Sequence, residues 1–167
     1  MKVAIGLGSN LGNRKDHMQR AFEFLTSLSS RESRFSSLYE TSPVNCPPQS
    51  DAFLNAAALI EWRGDLEELL QKLLAFEVSM GRPATRPFNE PRIIDTDILL
   101  AEDQVIHSKT LDIPHPRMME RLFVLEPLAE IWPDAIIPST HTTVQAALIE
   151  ARARYGDQQV CRQIASQ

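Results

Sequence analysis

Apolar positions along the chain alternate in short runs and recur at helical spacing in longer ones, and the two patterns follow one another in a readable order. Lys2 to Leu7 is a short β-type run, followed by Gly-Ser-Asn and a helical pattern from near Asn13, a residue suited to the N-cap. Met18, Ala21, Phe22, Leu25 and Leu28 form one face of that helix, with Arg14, Lys15, Asp16, Arg20 and Glu23 mostly elsewhere. Ser33 to Thr41 alternates loosely and predicts a strand, and the proline-rich polar stretch from Ser42 to Ser50 predicts a loop. Ala52 to Trp62 reads as a second extended run. A helix then runs from Asp65 to Met80, with Asp65 and Glu68 placed as a capping box and Gly81 as the stop.

After a polar, proline-containing loop from Arg82 to Pro91, Ile93 to Leu100 returns to strand character. The element order β-α-β-β-α-β predicts an α+β, ferredoxin-like core: an antiparallel sheet with helices on its faces. Further on, helices are expected near Arg121 to Ile131 and from Thr143 to about Arg154, a C-terminal helical extension that decorates the core. No repeat, low-complexity tract or Gly/Ser linker interrupts residues 1–167, so one domain is expected.

Composition narrows the partners. A formal net charge of −5 over 167 residues argues against a surface built to coat nucleic acid or anionic lipid, and favours small molecules. No stretch approaches membrane-spanning length and no secretory h-region opens the chain, so a cytoplasmic protein is expected, with monomer as the default oligomeric state. Cys46 and Cys161 lack metal spacing and read as plain thiols.

The densest chemistry lies in Pro91-Arg92-Ile93-Ile94-Asp95-Thr96-Asp97-Ile98-Leu99. Period-two alternation puts Asp95 and Asp97 on one strand face, with Ile94, Thr96 and Ile98 on the other. Two neighbouring carboxylates repel one another unless a hard cation such as magnesium, or an arginine, neutralises them; the alternative is a solvated edge-strand face. Arg82, Arg86, Arg92, Arg117 and Arg121 cluster around this segment, and guanidinium forks match phosphate oxygens. His115, stiffened between Pro114 and Pro116, suits phosphate contact better than proton transfer.

In the run from Ala52, Phe53 and Asn55 share a face with Ala57 and Leu59, an aromatic and an amide suited to a planar heterocycle, or else core residues. Glu77 falls near the centre of the stripe Leu66, Leu69, Leu70, Leu73 and Met80, where burial of a carboxylate calls for an arginine or a ligand polar group. The Gly6 to Gly12 turn departs from G-x-G-x-x-G and no P-loop occurs, so any ATP would be held by arginines and metal.

Taken together, Gly8-Ser9-Asn10-Leu11-Gly12, Phe53-Leu54-Asn55, Pro91-Arg92 with Asp95-Thr96-Asp97, and Pro114-His115 with Arg121 and Phe123 resemble the 6-hydroxymethyl-7,8-dihydropterin pyrophosphokinase family of folate biosynthesis over nearly the whole chain. The resemblance implies diphosphate transfer from ATP to the pterin hydroxymethyl group, with AMP as the other product. It implies that Asp95 and Asp97 hold two magnesium ions, that Arg82 and Arg92 engage the triphosphate during transfer, and that His115 and Arg121 contact phosphates, with Arg86 and Arg117 also on the ATP side. It places the pterin between Phe53 and Phe123, with Asn55 on its polar edge and backbone contacts from Ser42, Pro43 and Val44. Glu77 matches a family acidic position, and Leu70, Ile98 and Leu111 are implied on the adenosine side.

Three departures stand out. Phe88-Asn89-Glu90 replaces the family's basic residue, tryptophan and glycine; Ala84 lacks a loop arginine, for which Arg86 would compensate; and Thr96 replaces an aliphatic residue between the aspartates. The altered loop keeps two other readings open: a relative that binds pterin or nucleotide as a sensor or partner, and an enzyme for a different planar alcohol.

Overall fold

The computed structural model describes residues 1–41, 52–82 and 92–164. Its elements in chain order are β1 (Lys2–Ser9), α1 (Arg14–Leu28), β2 (Arg34–Phe35), β3 (Tyr39–Thr41), β4 (Phe53–Glu61), α2 (Leu66–Ser79), β5 (Asp95–Ala101), β6 (Ile106–His107) and β7 (Asp112–Ile113). A 3-10 turn at Met118–Glu120 leads into α3 (Leu122–Ile131), β8 (Ile136–Ile137), β9 (Thr142–Thr143), α4 (Val144–Tyr155) and β10 (Cys161–Gln163). The main sheet runs β10-β3-β4-β1-β5, with β2 also paired to β4, and its pairings are antiparallel. The central order β3-β4-β1-β5 is that of a ferredoxin-like βαββαβ unit.

Alternation along the strands divides the interior in two. Val3, Ile5 and Leu7 of β1 and Leu54, Ala56, Ala58 and Ile60 of β4 meet Met18, Ala21 and Leu25 of α1 and Leu66, Leu69 and Leu73 of α2. The opposite sheet face carries Ala4, Ala57, Leu59 and Leu99 against Leu122, Leu125 and Leu128 of α3, and Val144, Ala147, Leu148 and Ala151 of α4. The C-terminal helices therefore do more than decorate the core: they cover a sheet face that would otherwise expose apolar side chains to water. On this second face β1 carries, beyond Lys2 at its start, only Ala4, Gly6 and Gly8, so the sheet is shallow there and leaves room beneath α3.

The helix signals are borne out by their caps. The Asn13 side chain accepts from the Asp16 N–H at 3.3 Å, and the Asp65 side chain accepts from the Glu68 N–H at 2.6 Å. Gly81 follows α2 at φ 106°, a conformation that glycine adopts without steric cost. The strand expected over Ser33 to Thr41 is broken into β2 and β3. Ser36 exchanges backbone bonds with Ala57 through its own N–H and, in place of a backbone acceptor, through its hydroxyl, each at 2.9 Å. The edge strand β10, short and polar, carried no signal in the sequence. Among the described residues, no helix is long and apolar enough to cross a membrane.

Candidate active site

The site grows from the pairing register. Gly8 lies opposite Asn55 of β4 on one side and Asp95 of β5 on the other, and Gly6 lies between Ala57 and Asp97 in the same way. Two glycines on one strand face make a trough flanked by an amide on one side and two carboxylates on the other. A Cβ at Gly8 would sit 3.2 Å from Asn55 Oδ1, and one at Gly6 3.2 Å from the Leu99 side chain, so the trough depends on the missing side chains. Roofed by α3, it becomes a cleft open to solvent.

One end of the cavity is charged. Arg92, Asp95, Asp97 and Arg121 all line it. The Arg92 guanidinium donates through Nη1 to Asp95 Oδ2, and Arg82 Nη1 lies 4.0 Å from Asp95 Oδ1. Backbone geometry at Arg92 is fixed from the first turn: its N–H donates to Asn10 Oδ1 at 2.6 Å, and the Asn10 N–H donates to its carbonyl at 3.0 Å. Arg92 Nε is buried and has no hydrogen-bond partner among the described residues.

Behind this wall stands Glu77, 1% exposed. Its Oε1 accepts from the Thr96 N–H at 2.6 Å and from the Thr96 hydroxyl at 2.8 Å, and its Oε2 pairs with Arg82. The expected partner for this buried carboxylate is thus an arginine, and the threonine between the two aspartates supplies a further bond. Glu77 ties α2, Arg82 and β5 together from the face opposite the cavity.

The other end is aromatic. Phe53 and Phe123 line the cavity, and the Arg121 guanidinium lies 5.4 Å from the Phe123 ring centroid. Asn55, buried, donates through Nδ2 to Thr41 Oγ1 at 2.6 Å, which turns its carbonyl oxygen toward Gly8 and leaves it as an acceptor.

Electrostatics distinguish the two aspartates. Asp97 is exposed to solvent yet crowded by protein atoms; that crowding, then repulsion from Asp95, raises its pKa to about 6 against the pull of Arg121, Arg92 and Arg117. A carboxylate made costly in this way, beside a second one, fits a divalent cation that would take its remaining ligands from phosphate and water. Among the described residues no cluster of three or more His, Cys, Asp or Glu forms a metal cage, so these two carboxylates would be the protein's share. Burial, then Arg121 and Arg117, holds His115 down to about 4. Its Nδ1 accepts from the Arg117 N–H at 3.2 Å, so the neutral ring carries its proton on Nε2. Burial and Arg117 also lower the pKa of Arg121.

Of the residues expected from sequence, the cavity gathers Phe53, Asn55, Arg92, Asp95, Asp97, Arg121 and Phe123. Arg82 stands one contact away, through Asp95. His115 is anchored next door by its N–H to the Leu99 carbonyl at 2.9 Å, followed in the chain by exposed Arg117. Glu77, Ile98 and Leu111 are buried and Leu70 is half-buried against the first core, none of them lining this cavity. Ser42, Pro43, Val44 and Arg86, with the Ala84 and Phe88-Asn89-Glu90 departures, lie outside the described residues. Unforeseen were the trough glycines, Thr41, Leu99, Val124 and the Asn10 clamp on Arg92. Glycines two apart in an apolar strand were the available signal for the trough.

The fold and cavity define a class: a ferredoxin-like domain whose trough joins a carboxylate-arginine end, suited to polyphosphate, to a ring slot. Residues 4–133 match the 7,8-dihydro-6-hydroxymethylpterin-pyrophosphokinase (HPPK) family. The chain belongs to that family. It is 41% identical over 128 residues to the 2-amino-4-hydroxy-6-hydroxymethyldihydropteridine pyrophosphokinase of Bacillus subtilis, covering 76% of this chain and 75% of that one. It is 40% identical over 149 residues to the folic acid synthesis protein fol1 of Schizosaccharomyces pombe, covering 88% of this chain and 20% of the relative. The chain thus spans about a fifth of the fungal protein. In fold it superposes on Plasmodium falciparum HPPK-DHPS with a TM-score of 0.73 at 14% identity, over 94% of this chain and 45% of that one.

Proposed function

We propose that the chain transfers diphosphate from ATP to the hydroxymethyl oxygen of 6-hydroxymethyl-7,8-dihydropterin in folate biosynthesis, giving AMP and the pterin diphosphate. The observation that carries this reading is that one cavity joins Asp95, Asp97, Arg92 and Arg121 to Phe53, Asn55 and Phe123. The pterin ring lies between the two phenylalanines, and Asn55, its Nδ2 held by Thr41, accepts from the polar edge through Oδ1. The hydroxymethyl oxygen attacks the β-phosphorus, the bond to the α,β-bridging oxygen breaks with its electrons leaving on AMP, and the hydroxyl proton passes to solvent. Asp95 and Asp97 would hold magnesium, two ions in our reading, which when bound neutralises the polyphosphate.

Arg92 and Arg121 bind and orient the phosphates, and Arg82, kept in place by Glu77, adds positive charge beside Asp95. Neutral His115 donates its Nε2–H to a phosphate oxygen without taking part in proton transfer. The unit acts as one domain and a monomer, on small molecules, in the cytoplasm. Asp97→Ala tests the assignment. Pterin-dependent AMP formation should fall by at least two orders of magnitude at saturating magnesium; a near wild-type rate would refute the metal role.

A further inference from the structure

α3 begins at Arg121, which has no side-chain cap to offer its own helix. Its carbonyl accepts from the Val124 and Leu125 N–H groups at 3.1 and 3.0 Å, while the N–H of Leu122 has no partner within the helix. Asp, Asn, Ser or Thr at this position would bond back to the helix; an arginine cannot accept, and its guanidinium is turned into the cavity. The missing cap arrives from 37 residues further along the chain: Gln159 Oε1 accepts from the Leu122 N–H at 2.9 Å. The same amide donates through Nε2 to the Glu120 carbonyl at 2.8 Å.

One side chain therefore bonds the residue before and the residue after Arg121. Gln159 is itself held where α4 ends, its N–H donating to the Tyr155 carbonyl at 3.0 Å. α4 is in turn bolted to α3 by two bonds from Arg152 to Glu126, at 2.7 and 2.6 Å. The family match ends at residue 133, so this brace belongs to the part of the chain beyond it.

We propose that Gln159 is a positioning residue for the reaction: its amide fixes the backbone from which Arg121 and Phe123 project into the cavity, leaving the Arg121 side chain to the ligand. The inference rests on the function proposed above. A brace that only adds stability and a brace that aims Arg121 make different predictions in a double-mutant cycle. Gln159→Ala should lower kcat/KM for the pterin about fivefold, through misplacement of the groups it aims. In an Arg121→Ala background the same change should cost much less, only the part that acts through Phe123 remaining. Gln159→Glu, which keeps an acceptor for Leu122 but sets a carboxylate oxygen against the Glu120 carbonyl, should restore only part of the rate.

Equal losses in both backgrounds, or no loss in either, would overturn the proposal. Should the wild-type chain show no pterin-dependent turnover, the proposed function falls, and Gln159 is judged by amide hydrogen exchange and by the Kd for ATP with magnesium. Faster exchange at Leu122 and Phe123 with severalfold weaker ATP binding is then expected of Gln159→Ala. Unchanged exchange and affinity would reject the brace.

Discussion

Replacing Glu77 by alanine removes the acceptor for two Thr96 donors and the partner of Arg82 in a site where the carboxylate is 1% exposed. The Thr96 N–H, buried on the helix-facing side of β5, would be left without an acceptor, at about 1–3 kcal/mol. Breaking a buried ion pair costs about 3–5 kcal/mol, but the Arg82 side chain is 33% exposed and water recovers part of its charge, so that contribution shrinks to about 1 kcal/mol. The sum is about 2–4 kcal/mol. Glu77→Gln should cost about half as much, since its carbonyl can still serve Thr96 while its amino group faces Arg82, donor against donor. Urea unfolding is the assay, with an unchanged m-value required before the midpoints are compared. A loss below about 0.5 kcal/mol for Glu77→Ala would refute the bracing argument.

Three further outcomes follow from the same geometry. Gly8→Ala places a methyl group 3.2 Å from Asn55 Oδ1, so the folded protein should bind the pterin at least tenfold more weakly, and unchanged affinity in a fluorescence titration would show that the trough is not the ring site. Asp97, raised to about 6 from its ordinary 3.8, binds more protons folded than unfolded between those values, so metal-free stability falls as pH rises through that window. Asp97→Asn should add about 1 kcal/mol to metal-free stability at neutral pH, a shift of about 3 kcal/mol discounted for solvent contact, with the gain vanishing below pH about 4; calorimetry across pH checks this. His115, held near 4, should titrate there by NMR, and a midpoint near 6.5 would contradict its burial among arginines.

Much of this architecture was legible because strand alternation and helix caps are local. Phe53 and Asn55 against Leu54 and Ala56, or Asp95 and Asp97 against Thr96 and Ile98, separate onto two faces by period alone. The covered second face was less legible, since the pattern near Arg121 and Thr143 predicts helices without revealing what they cover. The contacts of Thr41, Asn10 and Gln159 were not legible, although Asn10 itself stood in a family motif, because each acts through a partner 14, 82 or 37 residues away, at Asn55, Arg92 and Leu122. Glu77 shows both sides of this: its need for a partner was readable from the apolar stripe, whereas its bond to Thr96 required the register of β5.

The central claim is that one trough brings the pterin alcohol and the polyphosphate of ATP together for direct transfer. The most direct test is incubation of the chain with β-labelled ATP, magnesium and 6-hydroxymethyl-7,8-dihydropterin, with separation of products. The account predicts label in a diphosphorylated pterin, in equal amount to AMP and dependent on the pterin. Label released only as inorganic phosphate or diphosphate, or no consumption of ATP at all, would contradict it.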